Sequence, residues 1–202
     1  MKRFTNSTFI WLFFTALLLG GCSVTPPSQL TPIDVSHANQ ASAWELKGKL
    51  AVKTPDDKFS TNLYWLHTQT HDQLTLTTML GTTVLSLTSE PGKAILELDG
   101  KRYEDTNAER LLTRLSGWAI PLEKLPLWIT GQLSPDDILI ATNEDGAPRQ
   151  LLNEMDFPAW QVDLLSWQTQ SGAQIPQQLK LNRGTLLLRI QINQWQALGN
   201  TK

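Results

Sequence analysis

Trp44-Glu45-Leu46-Lys47-Gly48-Lys49-Leu50-Ala51-Val52-Lys53 alternates apolar or small residues with charged ones at a period of two. Successive side chains on an extended backbone point to opposite sides, so this period marks a strand with one buried and one wet face. Trp44, Leu46, Gly48, Leu50 and Val52 share one side, and Glu45, Lys47, Lys49 and Lys53 the other. After a turn through Pro55-Asp56-Asp57 the scheme repeats with Phe59, Thr61, Leu63 and Trp65. Further strands are predicted over 73–79, 83–89, 93–98, 101–105, 160–167, 177–182 and 185–195, broken by Gly81, Pro91-Gly92, Asp99-Gly100 and Arg183-Gly184. The last is the clearest, with Leu186, Leu188, Ile190 and Ile192 opposite Arg189, Gln191 and Asn193.

Helix-period sequence interrupts this series over about residues 107 to 130. Thr106 followed by Glu109 has the spacing of a capping box, and Ala108, Leu111, Leu112 and Leu115 then fall on one stripe. Pro121 suits the opening of a second short helix, with Leu122, Leu125, Trp128 and Ile129 apolar and Gly131 as its stop. The expected fold is α+β, mainly β: an antiparallel sheet curled into an incomplete, unclosed barrel, with the short helices as a lid on its concave face.

At the N-terminus, Lys2 and Arg3 precede an apolar run from Phe9 to Leu19, too short to span a bilayer stably, and then Leu19-Gly20-Gly21-Cys22. This is the shape of a secretory signal peptide, and it resembles a bacterial lipobox. The resemblance implies that Cys22 receives a diacylglycerol, that residues 1–21 are removed, and that the new N-terminus is acylated. Cys22 is the one cysteine of the chain, so it has no intrachain disulfide partner. Several acyl chains, at about 0.8 kcal/mol per buried methylene, hold a protein at a membrane almost permanently. Ser23 stands where such lipoproteins carry aspartate when they stay at the inner membrane, so the expected home is the outer membrane, facing the periplasm of a Gram-negative cell. Residues 22–42, with Pro26, Pro27 and Pro32 among polar residues, are expected to be the lipidated end and a flexible tether, and residues 43–202 a single domain.

Removing residues 1–21 takes away two of the 17 basic residues and none of the 19 acidic ones, which leaves 181 residues at a net charge of −4. That is no footprint for nucleic acid or for an anionic lipid surface. Lys47, Lys49 and Lys53 form a basic stripe that reads as a solvated strand face. Catalytic chemistry finds little support. His67-x-x-x-His71 suits a metal only on a helix, and the surrounding pattern is strand. There is no G-x-S-x-G, and the paired carboxylates Asp56-Asp57 and Asp136-Asp137 sit beside turn prolines. No G-x-x-x-x-G-K-[ST] loop is present to bind a nucleotide. The expectation is a protein that is not an enzyme and uses neither cofactor nor metal, with monomer as the default state.

Several short pieces in order carry a family likeness: Leu19-Gly20-Gly21-Cys22-Ser23, Trp44-x-x-x-Gly48, Leu80-Gly81-Thr82, Gly117-Trp118-Ala119-Ile120-Pro121, and Leu125-x-x-Trp128-Ile129-x-Gly131. Together they resemble the LolB family of outer-membrane lipoproteins, which accept other lipoproteins from the periplasmic carrier LolA and insert them into the membrane. The resemblance implies an unclosed barrel, capped by helices, around an apolar cavity that takes the acyl chains of the cargo. The partners it implies are a LolA-like carrier, those acyl chains and outer-membrane lipids. It also implies a protruding membrane-insertion loop of Met79, Leu80 and Gly81 with Leu80 at the tip, and Met79 departs from the proline common there.

Seven tryptophans remain beyond the signal segment, and large aromatic side chains serve equally as core and as cavity wall. Leu46, Leu63, Trp65, Leu76, Trp118 and Trp128 are the candidates for the wall, by their inward strand positions or their place on the lid. A structural or scaffold lipoprotein of an outer-membrane assembly machine is the competing reading; it would have a filled core.

Overall fold

The computed structural model describes residues 30–155 and 157–200; the signal segment, Cys22 and the chain up to residue 29 lie outside the described residues. Among the described residues the strands are β1 (Leu30–Pro32), β2 (Ala43–Lys53), β3 (Lys58–Thr68), β4 (Asp72–Thr77), β5 (Thr83–Glu90), β6 (Lys93–Leu98), β7 (Lys101–Asp105), β8 (Asp137–Thr142), β9 (Pro148–Asn153), β10 (Trp160–Gln170), β11 (Ala173–Arg183) and β12 (Leu186–Asn200). Two helices, α1 (Ala108–Ser116) and α2 (Leu125–Ile129), separate β7 from β8. The strands form one antiparallel sheet in the order β7-β6-β5-β4-β3-β2-β12-β11-β10-β9-β8, with β1 added beside β12. β7 and β8 are its two edges, so the barrel is unclosed, and the α+β, mainly-β fold expected from the alternation is the one observed.

The buried side of the sheet is the side the period predicts. Trp44, Leu46, Leu50, Val52, Leu63, Trp65, Leu188, Ile190 and Ile192 are all buried in one continuous core, which α1 enters with Leu111 and Leu112 and α2 with Leu125, Trp128 and Ile129. Gly48 has a steric reason to be glycine. A Cβ there would lie 2.1 Å from the carbonyl oxygen of Gln191, beside the irregularity between Ile192 and Gln194 where β12 crosses β2.

Antiparallel pairing assigns every connection to one end of the barrel. The β2–β3 turn (54–57), the β4–β5 loop (78–82), the β9–β10 loop (154–159) and the β11–β12 turn (184–185) share one end, the tip end. The β3–β4, β5–β6 and β10–β11 turns, the entry to α1, and β1 share the other, the base end.

Four local expectations are corrected. The folded unit begins before residue 43: Leu30–Pro32 pairs with Leu198–Asn200, the Val35 N–H donates to the Ser171 carbonyl at 2.8 Å, and Ala38 is buried in a 3-10 turn, so the segment's backbone groups are satisfied by the sheet. The cap of α1 is Asn107 and not Thr106: its extended backbone lets Oδ1 accept from the Arg110 N–H at 2.7 Å, while Glu109 instead accepts from the Glu123 N–H at 2.9 Å. Pro121 opens a turn, its carbonyl accepting from Lys124 and Leu125, and the second helix starts at Leu125 with Pro126 in its first turn. β11 starts at Ala173 and runs through Pro176, which is tolerated because β12 pairs only from Gln178 onward. β8 and β9 were not predicted: β8 is an edge strand wetted on both faces at Ile138, Leu139 and Ile140 and has no need to alternate, while β9 buries the polar Asn153 at an inward position beside Leu151.

Candidate functional site

Between the lid and β2–β5 and β12 lies a cavity walled by apolar side chains alone. Four of the six expected wall residues line it: Leu63, Trp65, Leu76 and Trp118. Leu46 and Trp128 do not. Leu46 is fully buried in register between Trp65 and Trp195, so its bulky cross-strand neighbours stand around it. Trp128 belongs to the other half of the core, where its Nε1–H donates to Asp137 Oδ2 at 2.8 Å and its ring lies 6.3 Å from Trp160. Further strand residues, Leu188 and Ile190 among them, and the lid residues Leu112, Ile120, Leu122 and Leu125 share the wall. Their inward direction was legible in the period, but which inward residues border open space depends on sheet curvature, which alternation does not encode.

The cavity holds only about 30 Å³, roughly the share of one water in the liquid and about a tenth of the smallest ordinary ligand pocket. It borders, at the base end, an open cleft of about 340 Å³ whose wall shares Trp65, Leu74, Leu87 and Leu122 with it. Asp72, Glu90, Glu109 and Glu123 stand around that cleft, so its entrance is acidic and its depth apolar. Asp72 is held in place: it accepts from Trp65 Nε1 at 2.8 Å and lies 2.7 Å from His67 Nδ1. At the tip end the interior is closed by the Trp118 ring stacked on Phe59, with centroids 4.8 Å apart.

The start of the lid is tied to Asp105, the last residue of β7. Its carboxylate accepts from the backbone N–H groups of Thr106 (2.7 Å) and Asn107 (3.2 Å), from the Arg110 guanidinium, and from Arg114 Nη1 at 3.1 Å. Chiefly through the Arg110 hydrogen bond, the Asp105 carboxyl is held down at about 2. Sequence reading missed this residue, although Asp followed by Arg five and nine positions later on a helix is a visible sign.

At the tip end, Thr78 donates its N–H to the Thr82 carbonyl at 2.8 Å and accepts from the N–H groups of Gly81 (3.0 Å) and Thr82 (3.2 Å, on Oγ1). Gly81 has φ +86, the left-handed region that favours glycine. These bonds hold Met79 69% and Leu80 95% exposed, an apolar display that water alone does not reward.

Residues 42–195 match the family model described as Outer membrane lipoprotein LolB. The chain belongs to the LolB family. The outer-membrane lipoprotein LolB of Shewanella baltica (strain OS155) is 59% identical over 201 residues, covering 98% of this chain and 94% of that one. That of Shewanella oneidensis is 56% identical over the same span and coverage. Among solved structures, an outer-membrane lipoprotein-sorting protein domain from Vibrio parahaemolyticus aligns over 79% of this chain and 92% of that one, at 9% identity and a TM-score of 0.48. At Met79, where the family resemblance implied a proline, the Thr78 hydrogen bonds, which need no proline, order the turn.

Proposed function

We propose that this LolB-family chain is a receptor anchored through Cys22 at the periplasmic face of the outer membrane, which takes lipoproteins from a LolA-like carrier and incorporates them into the bilayer. The observation that carries the reading is the interior lined only by apolar side chains, bordered by the base-end cleft. Acyl chains in water expose many methylenes, each costing about 0.8 kcal/mol, so a carrier-to-membrane relay needs such a lining at each stop. At about 30 Å³ the cavity is collapsed, and admitting a chain requires α1 and the 117–124 connection to lift away from the sheet. The Asp105 cluster fixes one end of α1 and makes it the hinge. Closure in the empty state keeps Leu63, Trp65, Leu76 and their neighbours dry, and a bound acyl chain takes over that role when the lid opens.

The reading requires no catalytic residue, and with no nucleotide-binding loop in the sequence the relay runs downhill in affinity, carrier to receptor to bilayer. The two ends divide the work: the base-end cleft faces the carrier, and the Leu80 tip faces the membrane. The test is transfer of a labelled lipoprotein from loaded carrier to this protein without nucleotide. Transfer is the expected result. Failure with a competent carrier and a folded receptor would favour the scaffold reading.

A further inference from the structure

Leu80 is not alone at the tip end. The β9–β10 loop emerges there too, on the opposite half of the barrel, with Met155 69% and Phe157 98% exposed. The residues around it are firmly seated. The Pro158 carbonyl accepts from Arg183 Nε at 3.1 Å, the same guanidinium reaches the Ala119 carbonyl at 3.4 Å and lies 5.7 Å over the Trp160 ring, and Pro158 packs against Gly184. Phe157 is therefore displayed from a built support. Phenylalanine among the described tip-end residues could have folded back onto the core, as Phe59 does against Trp118.

We infer that Met155 and Phe157 form a second bilayer contact, level with the Leu80 loop. The inference rests on the reading that the Leu80 tip meets the membrane, and it adds what one loop cannot supply. A single apolar point leaves the barrel free to rotate about it, whereas two points on opposite halves of the sheet fix the tip end against a plane. The occupant is the lipid bilayer, because the two displays share an end and flank the barrel rather than forming one groove that a protein segment would fill. Apolar and aromatic side chains of this kind partition into the headgroup and acyl boundary.

The experiment uses the lipidated chain, in which the Cys22 thiol is blocked as a thioether, so that Phe157→Cys or Leu80→Cys supplies the one reactive thiol. Each is labelled with an environment-sensitive fluorophore and mixed with phosphatidylethanolamine–phosphatidylglycerol vesicles containing a lipid-depth quencher. A blue shift and quenching at both positions is the expected result. Quenching at 80 without quenching at 157 overturns the second contact and leaves the Leu80 reading standing; quenching at neither overturns both. A response at 157 to the carrier alone, and none to vesicles, assigns the loop to protein docking and also overturns it. In parallel, Phe157→Asp is expected to lower incorporation of cargo several-fold with acceptance from the carrier unchanged, and Phe157→Leu to restore it.

Discussion

Leu80 and Leu46 show how differently one residue type is used in this chain: the first is 95% exposed on a hydrogen-bonded turn, the second wholly buried between tryptophans. Leu80→Glu tests the exposed one. Because the side chain touches almost nothing in the folded protein, the melting temperature is expected to stay within the small range of surface substitutions. Acceptance of cargo from the carrier should also be unchanged, since no residue of the loop lines the cavity. Incorporation into vesicles is expected to fall: even half of the ~2.5 kcal/mol that a charged side chain costs at the bilayer centre slows delivery roughly tenfold. Parallel assays of acceptance and incorporation check this, and an equal loss of both would remove the loop from the delivery step. Leu80 was legible only through the family likeness, because an apolar residue beside a glycine turn reads equally well as a hairpin plug. Gly48 was legible as part of a pattern, but its cause, the Gln191 carbonyl 2.1 Å from where a Cβ would stand, exists only once β12 is laid against β2.

At the scale of elements, the strands with one wet face were readable and those without one were not. β2, β3 and β12 alternate because each has a solvent side; β8 sits at an open edge, where exposure on both faces erases the period, and β9 buries Leu151 beside a polar Asn153, which hides its alternation from a hydrophobic pattern. The lid was readable as helix, but its cap shifted by one residue because Asp105 takes the Thr106 and Asn107 N–H groups and leaves the capping of α1 to Asn107. The Asp105 cluster carries a pH dependence. Its carboxyl titrates at about 2 in the folded protein against an ordinary 3.8, so the folded state binds this proton less readily than the unfolded chain. The stabilisation is therefore complete above pH 4 and disappears as the pH falls from about 4 towards about 2. Asp105→Asn retains an acceptor for the backbone N–H groups and removes the charge facing Arg110 and Arg114. The variant is expected to unfold at lower denaturant than the parent at neutral pH, with the gap closing between pH 4 and 2. Both arginines are largely exposed, so added salt should narrow the gap. A gap that persists unchanged at pH 2 would mean that Asp105 acts through its backbone hydrogen bonds alone.

For the whole molecule, the first described residues and the Leu80 loop stand at opposite ends, and on the proposed reading the length of chain from Cys22 to Leu30 decides whether anchor and tip can be used at once. β1 pairs with the last residues of β12, so the chain enters the folded unit at the base end, while Leu80 stands at the tip end. From Cys22 to Leu30 the chain reaches at most about 29 Å when fully extended. The 11 residues of β2 rise about 33 Å along the strand, and the usual strand tilt of a barrel brings the height to about 25 Å. The tether is thus about as long as the barrel is tall. On the proposed reading that Cys22 carries the lipid, it allows that lipid and the tip end to meet the same membrane with the base-end cleft facing the periplasm, and little length is to spare. Deleting residues 24–27 leaves a reach of about 14 Å, too short for that upright posture. The deletion removes none of the described residues, and stability, membrane anchoring and acceptance from the carrier are expected to be unchanged while incorporation of cargo falls markedly. Replacing the four residues with a Gly-Ser segment of equal length should restore it, since reach and not side-chain identity is what the posture requires. If the shortened chain incorporates cargo as well as the parent does, the barrel delivers from its side, and the Leu80 and Phe157 loops do not enter the bilayer together.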